Sequence, residues 1–145
     1  MDIRKATVDD LQNLTHLGLQ LWPDHEFEVL CADFAQIMAK PDAAFFLACD
    51  GNHTVGFAQC QLRRDYVEGT ESSPVGYLEG IFVRDGYRGR GLAGKLLAAC
   101  EDWAKKQGCR EFASDCELDN VGSLGFHLKM GFEEAGRIIC FTKKL

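Results

Sequence analysis

Val75-Gly76-Tyr77-Leu78-Glu79-Gly80-Ile81-Phe82-Val83 leads through Arg84-Asp85-Gly86-Tyr87 into Arg88-Gly89-Arg90-Gly91-Leu92-Ala93-Gly94. Apolar side chains continue through the first stretch without strict alternation, which predicts a strand buried on both faces, and Glu79 is its only charge. From about Leu92 to Gln107 the residues Leu96, Leu97, Cys100, Trp103 and Ala104 fall on one stripe, predicting a helix that Gly108 stops. A buried strand, a tight turn rich in main-chain N–H groups and a helix N-terminus together make a site for phosphate. The Walker pattern is excluded because Gly94-Lys95 is followed by Leu96 rather than a hydroxyl residue. Gly89-Arg90-Gly91-Leu92-Ala93-Gly94 matches the dinucleotide fingerprint in letters. However, the string follows the fourth predicted strand, and no second mononucleotide half comes after it.

Upstream, Asp2 to Thr7 alternates as a short strand and meets Thr7-Val8-Asp9-Asp10, a threonine cap with acids in the first turn. Leu11, Leu14, Leu17, Leu21 and Trp22 recur at helical steps until Pro23, and a second helix is predicted over Phe27–Lys40. Ala43–Cys49 reads as a strand, Asp50-Gly51-Asn52 as a hairpin turn, and Thr54 to Leu62 as the return strand. Arg64 to Pro74 is polar and turn-rich, a surface loop. Downstream, Glu111–Asp115 is a short strand, a helix starts at Asp119 or Asn120 and runs to Met130-Gly131, and Phe132–Lys144 reads as a closing hairpin. The order βααβββαβαββ is that of an α/β or α+β chain forming one domain, 1–145, without repeats.

Composition narrows the partners. Apolar residues make up 46% of 145, enough for a core, and 16 Lys plus Arg against 22 Asp plus Glu give a formal charge of -6. That balance excludes nucleic acid and an anionic membrane as main partners and favours a cationic one. Seven cysteines, an odd count without a C-x-x-C pair, read as reduced thiols in a cytoplasmic protein, and no metal is expected. No apolar run approaches the ~20 residues of a membrane span.

Arg88-Gly89-Arg90-Gly91-Leu92-Ala93 resembles the pyrophosphate-binding turn Arg/Gln-x-x-Gly-x-Gly/Ala of the GCN5-related N-acetyltransferase family. The strand before it, Asn120 downstream, the Gly131-Phe132 pair and the element order agree with that resemblance. Trp22-Pro23-Asp24-His25, Asp65-Tyr66-Val67-Glu68-Gly69, Ser73-Pro74-Val75, Leu78 to Val83 and Glu111 to Asp115 further resemble the aminoglycoside 6'-N-acetyltransferases. The resemblance implies a mixed central sheet with helices on both faces, acetyl-CoA as cosubstrate without a metal, an aminoglycoside acceptor, drug resistance and a homodimer with the last strands at its interface.

It also implies residue roles. The main chain of Ile81, Phe82 and Val83 would pair with the pantetheine arm; Arg88, Gly89, Arg90, Gly91, Leu92, Ala93 and Gly94 would hold the pyrophosphate; Asn120 would contact the cofactor. Acetyl transfer needs a neutral amine beside the thioester, so a base or a water-linked proton path is required. Glu79 is the candidate base, with burial expected to raise its pKa. Its alternative reading is a structural carboxylate bonded to backbone or paired with an arginine. Asp115 is expected in the acceptor pocket, or else as a cap of the following loop. Trp22 and Tyr66 would face sugar rings, Trp22 otherwise being core, and His25 would contact the acceptor or sit solvated. Glu68, Glu71 and Glu117 would add negative field or be plain surface.

Departures from the family pattern leave points open. His127 occupies the position of the tyrosine that in many relatives protonates the departing thiolate, so the general acid is His127, water or another group. Gly136 stands where some relatives carry an acid, so one acceptor contact is missing or supplied by Glu134. Direct transfer in the family argues against an acetylated Cys116. Two other functions fit the same sequence: a same-fold acetyltransferase for a polyamine, a protein N-terminus or a lysine, and a non-catalytic acyl-CoA-binding module.

Overall fold

Five strands lie in chain order across one sheet in the computed structural model, which describes all 145 residues: β1 (Asp2–Lys5), β2 (Ala43–Asp50), β3 (His53–Arg63), β4 (Val75–Val83) and β5 (Phe112–Ser114). The first four pair antiparallel and β5 joins β4 parallel, so the sheet is mixed as expected. Helices α1 (Leu11–Leu21) and α2 (Phe27–Met38) fill the connection from β1 to β2; α3 (Leu92–Lys106) links β4 to β5, and α4 (Val121–Lys129) follows β5. These bounds agree with the periodicities to within a residue or two, because each helix carries an apolar stripe between clear stops.

The strict alternation of β2 divides the core between the two faces of the sheet. Phe45, Leu47 and Cys49 face Leu14 and Leu17 of α1 and Leu30 and Phe34 of α2, whereas Ala44 and Ala48 face Leu96, Leu97, Cys100 and Trp103 of α3. Helices therefore cover both faces. Gly18 lets α1 approach α2 closely, since a Cβ there would sit 2.8 Å from the Phe34 ring. Cys49, Cys60 and Cys100 pack as small hydrophobes while Cys116 and Cys140 are exposed, and the Cys100 thiol is pushed up by a hydrogen bond with Cys60 and by burial. The loop between β3 and β4 is anchored by Val67, buried against Val75 and Tyr77. No helix is long and apolar enough to cross a membrane.

Two features depart from the expectations. Gln59 pairs with Gly80 while Cys60 pairs with Leu78, so Glu79 is an extra residue without a partner in β3, a β-bulge. The closing hairpin expected over Phe132–Lys144 is not formed: residues 133–145 hold no strand, and Ile138, Ile139 and Phe141 are 73%, 76% and 88% exposed. A hairpin is marginal unless its strands join a sheet, and here β5 ends the sheet with its outer edge unpaired.

Candidate active site

Pairing between β4 and β5 stops at Leu78 and Ser114. Beyond that point β4 follows β3 and the chain after β5 turns away, which opens a cleft of about 770 Å³. Gly80 to Val83, the turn from Tyr87 and the start of α3 form one wall; Ser114 to Glu117, Asn120 and α4 form the other. Glu79, Leu78 and Trp22 lie at its inner end.

On the first wall the glycine turn has the left-handed backbone that its glycines permit. Gly89 and Gly91 are left-handed, at φ 75° and 77°, and Gly91 is the N-cap of α3. The first helical bond runs from Lys95 N–H to Gly91 C=O. A glycine cap has no side chain for the N–H groups of the first turn, so these donors are left for an anion. Ile81, Phe82, Val83, Arg88, Gly89, Gly91, Leu92, Ala93, Gly94 and Asn120 all line the cleft. Arg88 does so while stapling the strand end: its Nε donates to the Val83 carbonyl at 2.8 Å and its Nη1 meets Asp85 at 2.9 Å. The Arg90 side chain is turned back onto the Gly86 carbonyl (3.1 Å) and the Tyr87 ring. Asn120 caps α4, its Oδ1 accepting from Ser123 N–H at 3.1 Å.

The inner end is acidic and hydrogen-bonded. Glu79 is not an isolated carboxylate among apolar side chains: Arg63 donates Nε to one oxygen at 3.1 Å and Nη2 to the other at 2.8 Å. The arginine partner of its alternative reading is present, because β3 and β4 bring residues 63 and 79 to one face. Arg63 also stacks on Tyr77, 3.4 Å from the ring centroid. The Tyr77 hydroxyl donates to Asp115, and burial together with that carboxylate pushes the phenol upward, keeping it a donor. The two carboxylates thus belong to one chain, Asp115, Tyr77, Arg63, Glu79.

Across the cleft His127 is fixed at both nitrogens. Nδ1 lies 2.7 Å from the Ser123 carbonyl, which only accepts, so Nδ1 carries a proton; Nε2 lies 2.8 Å from Ser114 Oγ, whose hydroxyl also reaches the Leu78 carbonyl at 3.4 Å. No group of three or more His, Cys, Asp or Glu converges as a metal site would require.

Among the acceptor residues expected from sequence, Trp22, Glu79 and Asp115 line the cleft together, with Glu117. Trp22 also packs into the core: its ring meets Phe34 and Phe57 edge to face, and a Cβ on Gly80 would meet it at 2.6 Å. His25 is exposed beside the Trp22 ring. Tyr66 is 80% exposed, outside the cleft lining, and donates to Glu68 at 2.8 Å. Glu134, the suggested substitute at the Gly136 gap, is held by Arg137 at 2.6 Å away from the cleft lining. Sequence reasoning missed Arg63, Tyr77 and Ser114. Tyr77 stands two residues before Glu79, a spacing that puts two strand residues on one face; nothing in the sequence pairs Arg63 with Glu79.

Residues 6–132 match the acetyltransferase (GNAT) family. The chain is 42% identical over 144 residues to the aminoglycoside N(6')-acetyltransferase type 1 of Salmonella enteritidis, covering 99% of each chain. To the corresponding protein of Stenotrophomonas maltophilia it is 45% identical over 145 residues, covering 99% of this chain and 93% of the other. Among solved structures, AAC(6')-Iy in complex with the bisubstrate analogue CoA-S-monomethyl-acetylneamine superposes with a TM-score of 0.95 at 41% identity, covering 99% of this chain and 98% of that one.

Proposed function

The chain belongs to the acetyltransferase (GNAT) family, and on that premise we propose that it transfers the acetyl group of acetyl-CoA to the 6'-amine of aminoglycoside antibiotics, conferring resistance. One observation carries the reading: similarity to enzymes of that specificity runs from end to end. The cleft agrees with it, joining a glycine turn at a helix N-terminus to a pair of carboxylates. The turn and the N-terminus of α3 take the pyrophosphate of the cosubstrate, β4 beyond the bulge offers its main chain to the pantetheine arm, and Asn120 closes the opposite wall. The acceptor enters over Trp22, with Glu79 and Asp115 attracting its ammonium groups.

The amine nitrogen attacks the thioester carbon, giving a tetrahedral oxyanion. Its collapse breaks the C–S bond and forms the amide, while the amine loses one proton and the CoA thiolate gains one. Glu79, the carboxylate at the bulge, takes the amine's proton directly or through water. Ser114 and His127 stand on the opposite wall, and the donor to the thiolate is left open between His127 and water. His25 and Tyr66, exposed and outside the cleft lining, meet the acceptor from the solvent side.

The reading includes a cytoplasmic enzyme, supported by seven free thiols, and a homodimer. Support for the dimer is the unpaired edge of β5 together with the exposed Ile138, Ile139 and Phe141. A groove of about 440 Å³ along Phe112, Cys109 and Phe132 accompanies that edge.

Mixing the protein with acetyl-CoA and kanamycin and following free thiol tests the reading, with the acetylated position assigned by NMR. Drug-dependent thiol release and a 6'-acetylated product are expected. Thiol release with spermidine or a peptide but not with the drug would overturn it, and CoA binding without turnover on any amine would point to a non-catalytic module.

A further inference from the structure

Arg63 lies outside every motif the sequence offers and outside the cleft lining, yet three contacts fix it behind the Glu79 carboxylate: two parallel hydrogen bonds to the Glu79 oxygens and a stacked Tyr77 ring. A guanidinium is a rigid planar fork, so this arrangement sets both the position and the plane of the carboxylate it grips. Glu79 needs such a partner. As the extra residue of the bulge it has no opposite residue in β3, and a glutamate side chain left unheld samples many rotamers. Each carboxylate oxygen has about two lone pairs, so after one bond from Arg63 each oxygen keeps a site for an incoming amine.

We propose that Arg63 is a positioning residue for acetyl transfer: it locks the Glu79 carboxylate in the orientation from which that group engages the acceptor amine. The proposal rests on the role given to Glu79 above. Arg63 acts through Glu79 and needs no contact with either substrate. The charged and titratable groups around the carboxylate are Arg63 from β3, Tyr77 from β4 and Asp115 from beyond β5. Arg63 is the one cation among them, so removing it leaves the site more negative and no less attractive to a polycationic drug.

The test is a double-mutant cycle of Arg63→Met and Glu79→Gln in the full chain, with kanamycin and acetyl-CoA. Arg63→Met is expected to lower kcat by about 10²-fold, the scale of a misplaced reacting group. KM for the drug is expected to be unchanged or lower, and CoA affinity to be retained. In the Glu79→Gln background the same change is expected to alter kcat by less than about twofold, since residues acting as one unit are not additive. A kcat for Arg63→Met within about threefold of the parent would overturn the proposal, as would a full repeat of its loss in the Glu79→Gln background. Should Arg63→Met fail to fold, Arg63→Lys carries the cycle, because it keeps the charge but not the fork; a parental kcat there would overturn the proposal. Glu79→Gln at parental speed would remove the premise itself, whereas an impaired Glu79→Gln beside an unaffected Arg63→Met would remove only the role of Arg63.

Discussion

A carboxylate inside a sheet protein has to be held by something, and Asp10 and Glu79 are both held by a forked arginine, to different ends. Asp10 accepts from both Arg4 Nη atoms at 2.7 Å and from Thr7 N–H at 2.8 Å, fixing the entry to α1. The Arg4 hydrogen bonds, aided by Thr7, hold its pKa down at about 2. Because the folded value lies below the unfolded one, the contribution to stability is full above about pH 4 and is lost as pH falls through 2. Asp10→Asn is expected to be about 1 kcal/mol less stable at pH 7, Arg4 being half exposed and the pair partly screened. The difference from the parent should close toward pH 2 in a thermal-melt series, and a constant difference would show that charge is not its source. The acids near Thr7 were legible as a helix-start signal, and Glu79 was legible as a lone charge in an apolar strand. Its partner was not, because an arginine sixteen residues away meets it only through the β3–β4 register and the bulge.

At the scale of elements, the run from β4 through the turn into α3 forms one wall of the cleft, and its glycines are where composition becomes conformation. Gly91 at φ 77° occupies a region that costs an L residue roughly 1–2 kcal/mol. Gly91→Ala is therefore expected to lower stability by about that amount and to weaken CoA binding, since the strain is relieved by turning the N–H groups of the first helical turn. Differential scanning calorimetry and a CoA titration check both, and unchanged CoA affinity would exclude those groups from the pyrophosphate site. The helices α1, α2 and α3 were legible because a 3.6-residue stripe between stops admits one reading. The bulge was not legible, since it is defined by two strands together and leaves no mark on β4 alone.

For the whole molecule, the decisive event is the parting of β4 and β5, which turns a continuous sheet into two walls. The same sheet ends in an unpaired β5 edge while an apolar run, Ile138 to Phe141, stands in solvent. Deleting residues 137–145 is expected to convert a dimer into monomers by sedimentation velocity and to lower the melting temperature; a parent that is itself monomeric would refute the dimer. The sequence by itself determined the element order up to α4, the glycine turn that opens α3 and the charge balance of -6, because helical and strand periodicity and glycine turns are local properties of the chain. Only the tertiary structure decided where the acids lie, which arginine grips Glu79, that Tyr77 joins it to Asp115, and that Ile138, Ile139 and Phe141 stay exposed. Those facts depend on register, a bulge and strand edges, which exist only once segments distant in sequence lie side by side.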